Sequence, residues 1–382
     1  MKKIKIMSVF GTRPEAIKMA PLVKELARRP EFESICCLTG QHREMLDSVM
    51  QIFRLRADYD LNIMQKQQTL SSITTRTILG MDDVIEKAQP DMILVHGDTS
   101  TTFAGALSAF YHKIPVGHVE AGLRTWDKYS PFPEEMNRTL VGDIADLHFS
   151  PTAANAQNLR REAVAGKIFI TGNTVIDAMR TTVRDRFIFS TPELNELDFQ
   201  GKRVIVVTCH RRENYGEPMK NIMEAILQTV QEHEDVEVVY PVHLSPAVRQ
   251  CAFGILGGHP RIHLIDPIDV EEMHNLMARC YFVMTDSGGL QEEAPAMGKP
   301  VLVLRRETER PEAVQAGTVK LAGVEKAQIL AMARELLDSR DAYAGMAHAV
   351  NPYGDGHACE RIAQAIAWHF GVCAERPADF TA

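Results

Sequence analysis

Residues 4–15 read Ile-Lys-Ile-Met-Ser-Val-Phe-Gly-Thr-Arg-Pro-Glu and predict a strand, a tight turn and the start of a helix. The apolar run up to Phe10 is typical of a buried strand, and Pro14 suits the first turn of a helix because its missing N–H needs no partner there. Lys5 and Arg13 bound this run closely, so it is too short for the apolar core of a secretion signal. We therefore expect one strand–turn–helix unit of an α/β fold.

The same alternation of apolar strands and helix-length segments occurs twice along the chain. Continuous apolar strands separated by helices are typical of a parallel sheet that is covered on both faces. We therefore predict two doubly wound, Rossmann-like α/β domains with the active site in the cleft between them. The predicted strands are Ile4–Phe10, Met92–His96, Pro115–Val119 and Leu147–Ser150, then Arg203–Cys209, Val236–Pro241, Arg261–Ile265, Tyr281–Thr285 and Pro300–Leu304.

Composition describes a folded globular protein of 382 residues, 45% hydrophobic and 24% charged. Its formal net charge of −8 provides no positive field for nucleic acid, so a polyanionic ligand must be held by local basic residues. The seven cysteines form no C-x-x-C pair, which favours reduced thiols over a disulfide framework or a metal site. No segment approaches a membrane-spanning length. We expect a cytoplasmic protein without a membrane or nucleic-acid partner.

Basic and acidic side chains follow the predicted strands of the first half. Arg13 and Lys18 come after the first strand, at the sheet edge where open α/β sheets bind ligands, although two solvated side chains would look the same. Asp98, Glu120 and Glu134 come at or near the same edge, and crowding of carboxylates there favours an acid/base set. For Asp98 the alternative is an N-cap of the helix that begins near Thr101.

The second half contains a candidate anion site. His210 and Arg211 directly follow a buried strand, and guanidinium groups match phosphate oxygens. His243 follows the next strand along the chain. The turn at 287–289 is Ser-Gly-Gly before a helix, so its backbone N–H groups and the helix dipole favour a diphosphate. Arg310 is a further cation after a later strand.

Two nucleotide fingerprints are missing from the sequence. No G-x-G-x-x-G follows the first strand, and no G-x-x-x-x-G-K-[ST] occurs. A nicotinamide-dependent or P-loop mechanism is therefore poorly supported, and we expect no cofactor and no metal.

The chain resembles the non-hydrolysing UDP-N-acetylglucosamine 2-epimerases from about Val9 to Gly371. The order of the shared blocks is more specific than any one of them. Departures are Glu44, Cys209, Trp126 and Arg306-Glu307. The shared blocks are FGTRPEAIKMAP, TGQHREMLD, HGDTSTT, GHVEAGLRT, YSPFPEEMNR, ITGNTVIDA, HRREN, YPVHL, TDSGGLQEEAP, ERPEAVQAGT and NPYGDG.

The resemblance implies a GT-B-type pair of domains, a homodimer, and a nucleotide held mainly by the second domain. It also implies a final helix that folds back onto the first domain. With the joint placed near Thr171–Asp177, we expect an N-terminal domain of 1–170 plus 366–382 and a UDP-binding domain of 171–365.

The resemblance also implies roles for individual residues. The catalytic set is Asp98, Glu120, Glu134 and His210. The UDP-sugar set is Arg13, Lys18, Met273, Ser287, Gly288, Gly289, Glu293 and Arg310. A possible allosteric site for a second UDP-N-acetylglucosamine comprises Gln41, His42, Arg211 and His243.

The implied activity is reversible interconversion of UDP-N-acetylglucosamine and UDP-N-acetylmannosamine, which would supply the latter for cell-surface polysaccharide synthesis. Three other activities stay open: epimerisation of a modified UDP-sugar such as a diacetamido-uronic acid, hydrolytic epimerisation, and glycosyl transfer by a retaining GT-B enzyme. A UDP-sugar-binding regulator is a fourth possibility. The three carboxylates argue against the last two, because neither needs a base at C2.

Overall fold

The computed structural model describes residues 2–41, 43–65 and 68–382, and the side chains of residues 43–45 are not described. It consists of two compact units. Unit 1 comprises residues 1–181 and 353–382, and unit 2 comprises residues 182–352.

Unit 1 is built on a seven-stranded parallel sheet in the order β3-β2-β1-β4-β5-β6-β7. The order reverses between β1 and β4, which places the topological switch point of this sheet between those strands. Its strands are β1 Ile4–Phe10, β2 Phe32–Leu38, β3 Tyr59–Asp60, β4 Met92–His96, β5 Val116–Val119, β6 Leu147–Ser150 and β7 Lys167–Ile170. Its helices are α1 Arg13–Arg28, α2 Arg43–Ile52, α3 Leu70–Ala88, α4 Ser100–Tyr111, α5 Glu134–Ile144, α6 Ala153–Arg161, α7 Thr174–Thr182 and, near the C-terminus, α16 Ala358–His369.

Unit 2 is built on a six-stranded parallel sheet in the order β10-β9-β8-β11-β12-β13. Here the switch point lies between β8 and β11. Its strands are β8 Arg203–Thr208, β9 Val236–Pro241, β10 Ile262–Ile265, β11 Phe282–Thr285, β12 Val301–Val303 and β13 Val319–Leu321. Its helices are α8 Pro192–Asn195, α9 Glu217–Glu232, α10 Pro246–Leu256, α11 Val270–Arg279, α12 Leu290–Ala296, α13 Pro311–Ala316, α14 Lys326–Asp338 and α15 Arg340–Ala347, with a 3-10 turn at Arg212–Asn214.

Helices on both faces bury the central strands completely. Every residue of β4 is buried, and so is every residue of β11. The prediction of two doubly wound parallel-sheet units, the pair that a GT-B-type fold contains, is confirmed. The central strands were predicted because a strand buried on both faces is apolar throughout.

Four strands were not predicted. In β2 the polar pair Glu33-Ser34 interrupts the apolar run. The other three lie toward the sheet edges and span at most four residues, namely β3, β7 and β13. Pro21 lies inside α1, which runs without a break from Arg13 to Arg28.

The boundaries expected at 170/171 and 365/366 both fall inside unit 1. Hydrogen bonds between the two parts of this unit explain the difference. The backbone N–H of Asn173 donates to the carbonyl of Tyr353, 2.6 Å away. The Asp177 carboxylate accepts from the backbone N–H groups of Ala358 and Cys359 at 3.2 and 2.9 Å. The start of α7 and the segment that leads into α16 therefore stabilise each other within one unit.

The final helix packs on α1 in unit 1. Arg29 at the end of α1 donates to the carbonyl of Glu360. In the described part of the chain, no helix is long and apolar enough to cross a membrane.

Candidate active site

A single buried carboxylate joins the two helices that start at the switch point of unit 1. Glu15 accepts from the backbone N–H groups of Gly11 and Thr12 at 3.1 and 2.8 Å. Its other oxygen accepts from the hydroxyls of Thr99 and Thr102 at 2.8 and 3.3 Å. The turns after β1 and β4 are thereby fixed to each other, and these turns carry candidate site residues.

Glu120 is the best-defined candidate of unit 1. Its carboxylate lies 2.5 Å from Nζ of Lys18 and 3.0 Å from Nε2 of His96, and it accepts from the Asn173 amide at 3.3 Å. Burial raises the pKa of Glu120, but the charges and hydrogen bonds of Lys18 and His96 outweigh burial and hold the pKa well below its usual range. Glu120 is therefore ionised at neutral pH. Its backbone is left-handed, with φ of 61°, which is costly for a residue other than glycine.

Asp98 lies at the start of α4 but does not cap it. The N-cap is Thr99, whose hydroxyl accepts from the backbone N–H of Thr102. The Asp98 carboxylate instead binds the Arg138 guanidinium, at 2.9 Å from Nε and 2.6 Å from Nη2. Arg138 is oriented in turn by the buried Glu135, 3.0 Å away. The capping alternative is therefore wrong, and Asp98 is held by α5.

Two candidates of unit 1 have no polar partner among the residues that the structure describes. Glu134 is the first residue of α5 and is half-buried, and no hydrogen bond or ion pair involves its carboxylate. Arg13, the first residue of α1, is likewise half-buried and carries an unpaired guanidinium. Both side chains are chemically available to a ligand.

His118 supports the turn that carries Asp98. Its Nε2 lies 2.7 Å from the Gly97 carbonyl, and since a carbonyl can only accept, Nε2 carries the hydrogen. Burial lowers the pKa of His118 to about 3, against the opposing effect of that hydrogen bond. A neutral His118 therefore holds Gly97, whose φ is 66°, beside Asp98.

In unit 2, Asp286 organises the turn after β8. The oxygen Oδ2 accepts from the backbone N–H groups of His210 and Arg211, both at 2.8 Å, and from the Asn214 amide at 3.1 Å. The His210 ring stacks on His243, with centroids 5.3 Å apart and planes 13° apart. Burial lowers the pKa of His210, although the charge of Asp286 opposes this, so the free imidazole is neutral at neutral pH.

The two candidate arginines of unit 2, Arg211 and Arg310, are paired with carboxylates. Arg211 lies 3.5 Å from Glu309, and Arg310 binds the buried Glu292 through Nε. Burial raises the pKa of Glu309, but Arg310 and Arg305 outweigh burial and lower it. A Cβ at Gly288 would lie 3.3 Å from Glu309 and 3.7 Å from Arg310. The glycine therefore lets the backbone pass close to these charged groups.

The remaining nucleotide candidates lie around α11 and α12. The backbone N–H of Ser287 donates to the Thr285 hydroxyl at 2.9 Å, and Gly289 is the N-cap of α12. Glu293 faces His274, with 3.4 Å between Oε2 and Nε2. Met273 is half-buried on α11.

The structure thus groups the candidates within each unit. In unit 1, Lys18 forms an ion pair with Glu120. In unit 2, the His210 ring stacks on His243, and the Arg211 guanidinium lies close to Gly288. Of the allosteric candidates, Gln41 uses its side-chain carbonyl to accept from Thr101 at 3.2 Å. His42 lies outside the described residues, and the side chain of Glu44 is not described.

Sequence reasoning missed the partners of these groups. His96, Asn173 and Arg138 contact the carboxylates of unit 1, and Asp286 orders the turn of unit 2. All four lie inside the recognised blocks, and Asp286 directly precedes the selected Ser287. Polar residues at the ends of adjacent central strands are the signal that could have indicated His96 and Asp286.

A family model described as UDP-N-acetylglucosamine 2-epimerase matches residues 24–367 of the chain. The match spans both units.

Individual relatives are similar over nearly the whole chain. A UDP-N-acetylglucosamine 2-epimerase of Bacillus subtilis is 55% identical over 382 residues, covering 100% of both chains. That of Escherichia coli K12 is 52% identical over 370 residues, 95% of this chain and 98% of its own. A solved UDP-GlcNAc 2-epimerase from Neisseria meningitidis, bound to UDP-GlcNAc, is 47% identical with a TM-score of 0.85 and covers 95% of this chain and 99% of its own.

Proposed function

The chain belongs to the UDP-N-acetylglucosamine 2-epimerase family, and from this premise we propose that it reversibly converts UDP-N-acetylglucosamine into UDP-N-acetylmannosamine. The observation that carries the proposal is Glu120, a buried carboxylate kept ionised by Lys18 and His96 at the carboxyl edge of a parallel sheet. An ionised carboxylate is in the form that can accept a proton.

The reaction proceeds by elimination and re-addition. C2 of the sugar has no adjacent carbonyl, so its hydrogen is barely acidic. Departure of UDP from C1 builds positive charge on the ring and acidifies C2–H. A carboxylate removes that proton and gives 2-acetamidoglucal and UDP. UDP then adds back, and an acid on the other face returns a proton to C2.

Unit 1 supplies the groups for proton transfer. Glu120, Asp98 and Glu134 are the candidates, and they occupy different environments. Glu120 is paired with an ammonium, Asp98 with a guanidinium, and Glu134 with no group in the described chain.

Unit 2 supplies the groups for the nucleotide. His210, Arg211, Arg310 and the turn 287–289 follow the central strands, at the sheet edge where such folds bind ligands. The ammonium of Lys18 neutralises Glu120. Arg13, whose guanidinium has no polar partner among the described residues, remains a candidate for binding the UDP-sugar.

Incubation with UDP-N-acetylglucosamine in D2O, read by proton NMR and mass spectrometry, tests the reaction. We expect both UDP-sugars, with deuterium at C2 of the epimerised product. Free N-acetylmannosamine as the main product would identify a hydrolytic enzyme instead. Epimerised product that keeps its hydrogen at C2 would contradict the elimination mechanism. A diacetamido-uronic UDP-sugar is the competing substrate to run in parallel.

Allosteric activation by UDP-N-acetylglucosamine is part of the proposal. His243 stacks on His210. An effector that binds His243 would therefore lie next to His210, which we assign to the diphosphate site. Pure UDP-N-acetylmannosamine should then turn over slowly until a little of its epimer is added. Full rate from the start with epimer-free substrate would exclude an obligatory activator.

Three contextual features complete the proposal. These are a homodimer, a cytoplasmic location and a supply of UDP-N-acetylmannosamine to cell-surface polysaccharide synthesis. They are supported by the family and by the absence of cysteine pairing motifs in the sequence. Sedimentation of the purified chain tests the first.

A further inference from the structure

Asp286 is a buried carboxylate, and one of its two oxygens lacks a hydrogen-bond partner among the described residues. The residue is fully buried at the end of β11, beside β8. Its Oδ2 accepts from three donors in the turn after β8. Its Oδ1 is also buried and has no hydrogen-bond partner in the described structure. Burying a carboxylate oxygen without a donor is costly, so an ordinary structural role for Asp286 leaves half of the side chain unexplained.

The His210 ring is placed to supply the missing donor. Nδ1 of His210 lies 3.5 Å from Oδ1 of Asp286, slightly beyond hydrogen-bond length. A small rotation of the ring over His243 would close that gap. The imidazole is 40% exposed at its side chain, so its other nitrogen is accessible to a ligand.

No other titratable group described around His210 could stabilise its imidazolium in place of the Asp286 carboxylate. Arg211 and His243 both lower the pKa of His210. Burial, the charge of Asp286 and a hydrogen bond to its side chain raise the pKa of the Cys209 thiol well above its usual range, so the thiol stays neutral. A thiol is a weak donor and does not compete with an imidazolium for a carboxylate.

We propose that Asp286 is a positioning residue that acts through His210, holding the hydrogen on Nδ1 and stabilising the imidazolium when a nucleoside diphosphate binds. The inference rests on the proposed function, because it assigns a role within that diphosphate site. In the free protein the imidazole is neutral. The incoming diphosphate favours the charged form, and one proton moves from solvent to His210. Nδ1–H then donates to Asp286 and Nε2–H to the diphosphate, and the proton returns to solvent when the nucleotide leaves.

Asp286→Asn separates this role from support of the turn. Asparagine keeps an oxygen for the three N–H donors but places an NH2 group against His210. The tautomer of His210 should therefore invert, and its imidazolium should lose its partner. We expect the pKa of His210 in the UDP complex, followed by histidine NMR and assigned with His210→Asn, to fall by at least about one unit. Proton uptake on UDP binding, measured by calorimetry in buffers of different ionisation enthalpy, should fall with it.

Activity provides a second readout. Asp286→Asn should lower kcat by a factor similar to that of His210→Asn, and it should have little further effect in the His210→Asn background. Glu272→Gln, which removes another buried carboxylate of unit 2, should leave the pKa of His210 unchanged. Asp286→Ala removes the turn acceptor as well, and its larger loss of thermal stability would measure the structural part.

Two results would overturn the proposal: an unchanged pKa and tautomer of His210 in Asp286→Asn, or an equal loss of kcat in both backgrounds. Because NMR and calorimetry need only UDP, they decide the role of Asp286 even if epimerisation is not observed. If UDP does not bind to the native chain at all, the inference fails with its premise.

Discussion

Glu120 and His210 both follow buried strands, and their surroundings give them different charge states. Glu120 is an anion kept charged by its neighbours, and His210 is a base kept neutral by burial. The same physical effect, removal from water, acts on both, and the charges and hydrogen bonds of Lys18 and His96 reverse it at Glu120. In the proposed function, proton transfer and diphosphate binding are therefore assigned to different residues.

Replacing the carboxylates of unit 1 should separate the two halves of the reaction. Asp98→Asn or Glu120→Gln keeps size and removes a candidate proton-transfer group. Loss of the group that returns the proton to C2 should let UDP and 2-acetamidoglucal form and escape, whereas loss of the base should prevent both, because glucal forms only when the C2 proton is removed. NMR of the reaction mixture distinguishes the two results. Glu86→Gln, on the exposed face of α3, is the control and should behave as the native enzyme.

Replacing His210 should slow the other half of the reaction, the departure of UDP from C1. His210→Asn keeps a neutral donor and removes the positive charge that a bound diphosphate would induce. We expect cleavage of the C1–O bond to slow on the order of 10²–10³-fold, as for loss of one preorganised donor. The variant should release little glucal. If His210→Asn releases the most glucal and the carboxylate variants epimerise normally, the assignment of roles is wrong.

At the scale of elements, the site depends on tight turns between strands and helices. Glu15 ties the N-termini of α1 and α4, and Asp286 ties the ends of β8 and β11. The turn after β5 is packed against α6. Gly122 there has φ of 94°, and a Cβ would lie 2.2 Å from the backbone oxygen of Asn155.

A pair of glycine substitutions tests this packing. Gly122→Ala should destabilise the protein by about 2–4 kcal/mol, because both the backbone conformation and a backbone oxygen oppose the methyl group. Gly345→Ala, inside α15 with no atom near the added carbon, should stabilise by about 0.5–1 kcal/mol. Denaturant unfolding followed by circular dichroism measures both. Equal stability of the two variants would contradict the steric argument.

At the scale of the whole molecule, buried histidines should make the stability of unit 1 more sensitive to acid than that of unit 2. His118 and His148 pair across β5 and β6 in unit 1. Burial lowers the pKa of His118 to about 3 and that of His148 to about 4, with Arg124 adding to the effect at both. Unit 2 contains His210, whose pKa is also lowered but whose ring is partly exposed.

Unit 1 should therefore lose stability as the pH falls below about 6.5, the pKa of unfolded histidine. Below that pH the unfolded chain binds more protons than the folded one, so stability rises with pH and is lost toward pH 3–4. The loss should be about 2.5 kcal/mol per histidine by pH 4.5. Both tryptophans of the chain, Trp126 and Trp368, belong to unit 1, so tryptophan fluorescence in urea reports its unfolding.

His148→Gln is the variant that checks this assignment. It should flatten the dependence of the urea midpoint on pH between about 4.5 and 6.5, because one titrating group is removed. His259→Gln, a histidine of unit 2, should leave the fluorescence-detected slope unchanged. An unaltered slope in His148→Gln would show that other groups control acid unfolding.

The sequence alone determined the two parallel sheets and most of the candidate residues. A strand buried on both faces must be apolar throughout, and a turn at its end must be small or polar, so β1, β4, β8 and β11 were readable as local patterns. The blocks around those turns supplied the family and the carboxylates. Short strands such as β3 and β13 were missed because their two or three residues include a charged side chain, Asp60 or Lys320, and so form no apolar run.

Only the tertiary structure decided which groups neutralise each other. Lys18 and Glu120 are 102 positions apart, and His210 and Asp286 are 76 apart, so no spacing rule could pair them. The structure pairs Lys18 with Glu120 and Asp98 with Arg138, and it excludes only the capping alternative for Asp98. Parallel sheets place the ends of strands that are distant in sequence side by side. The burial, charge and pKa of a side chain there depend on these spatial neighbours, which the sequence order does not reveal.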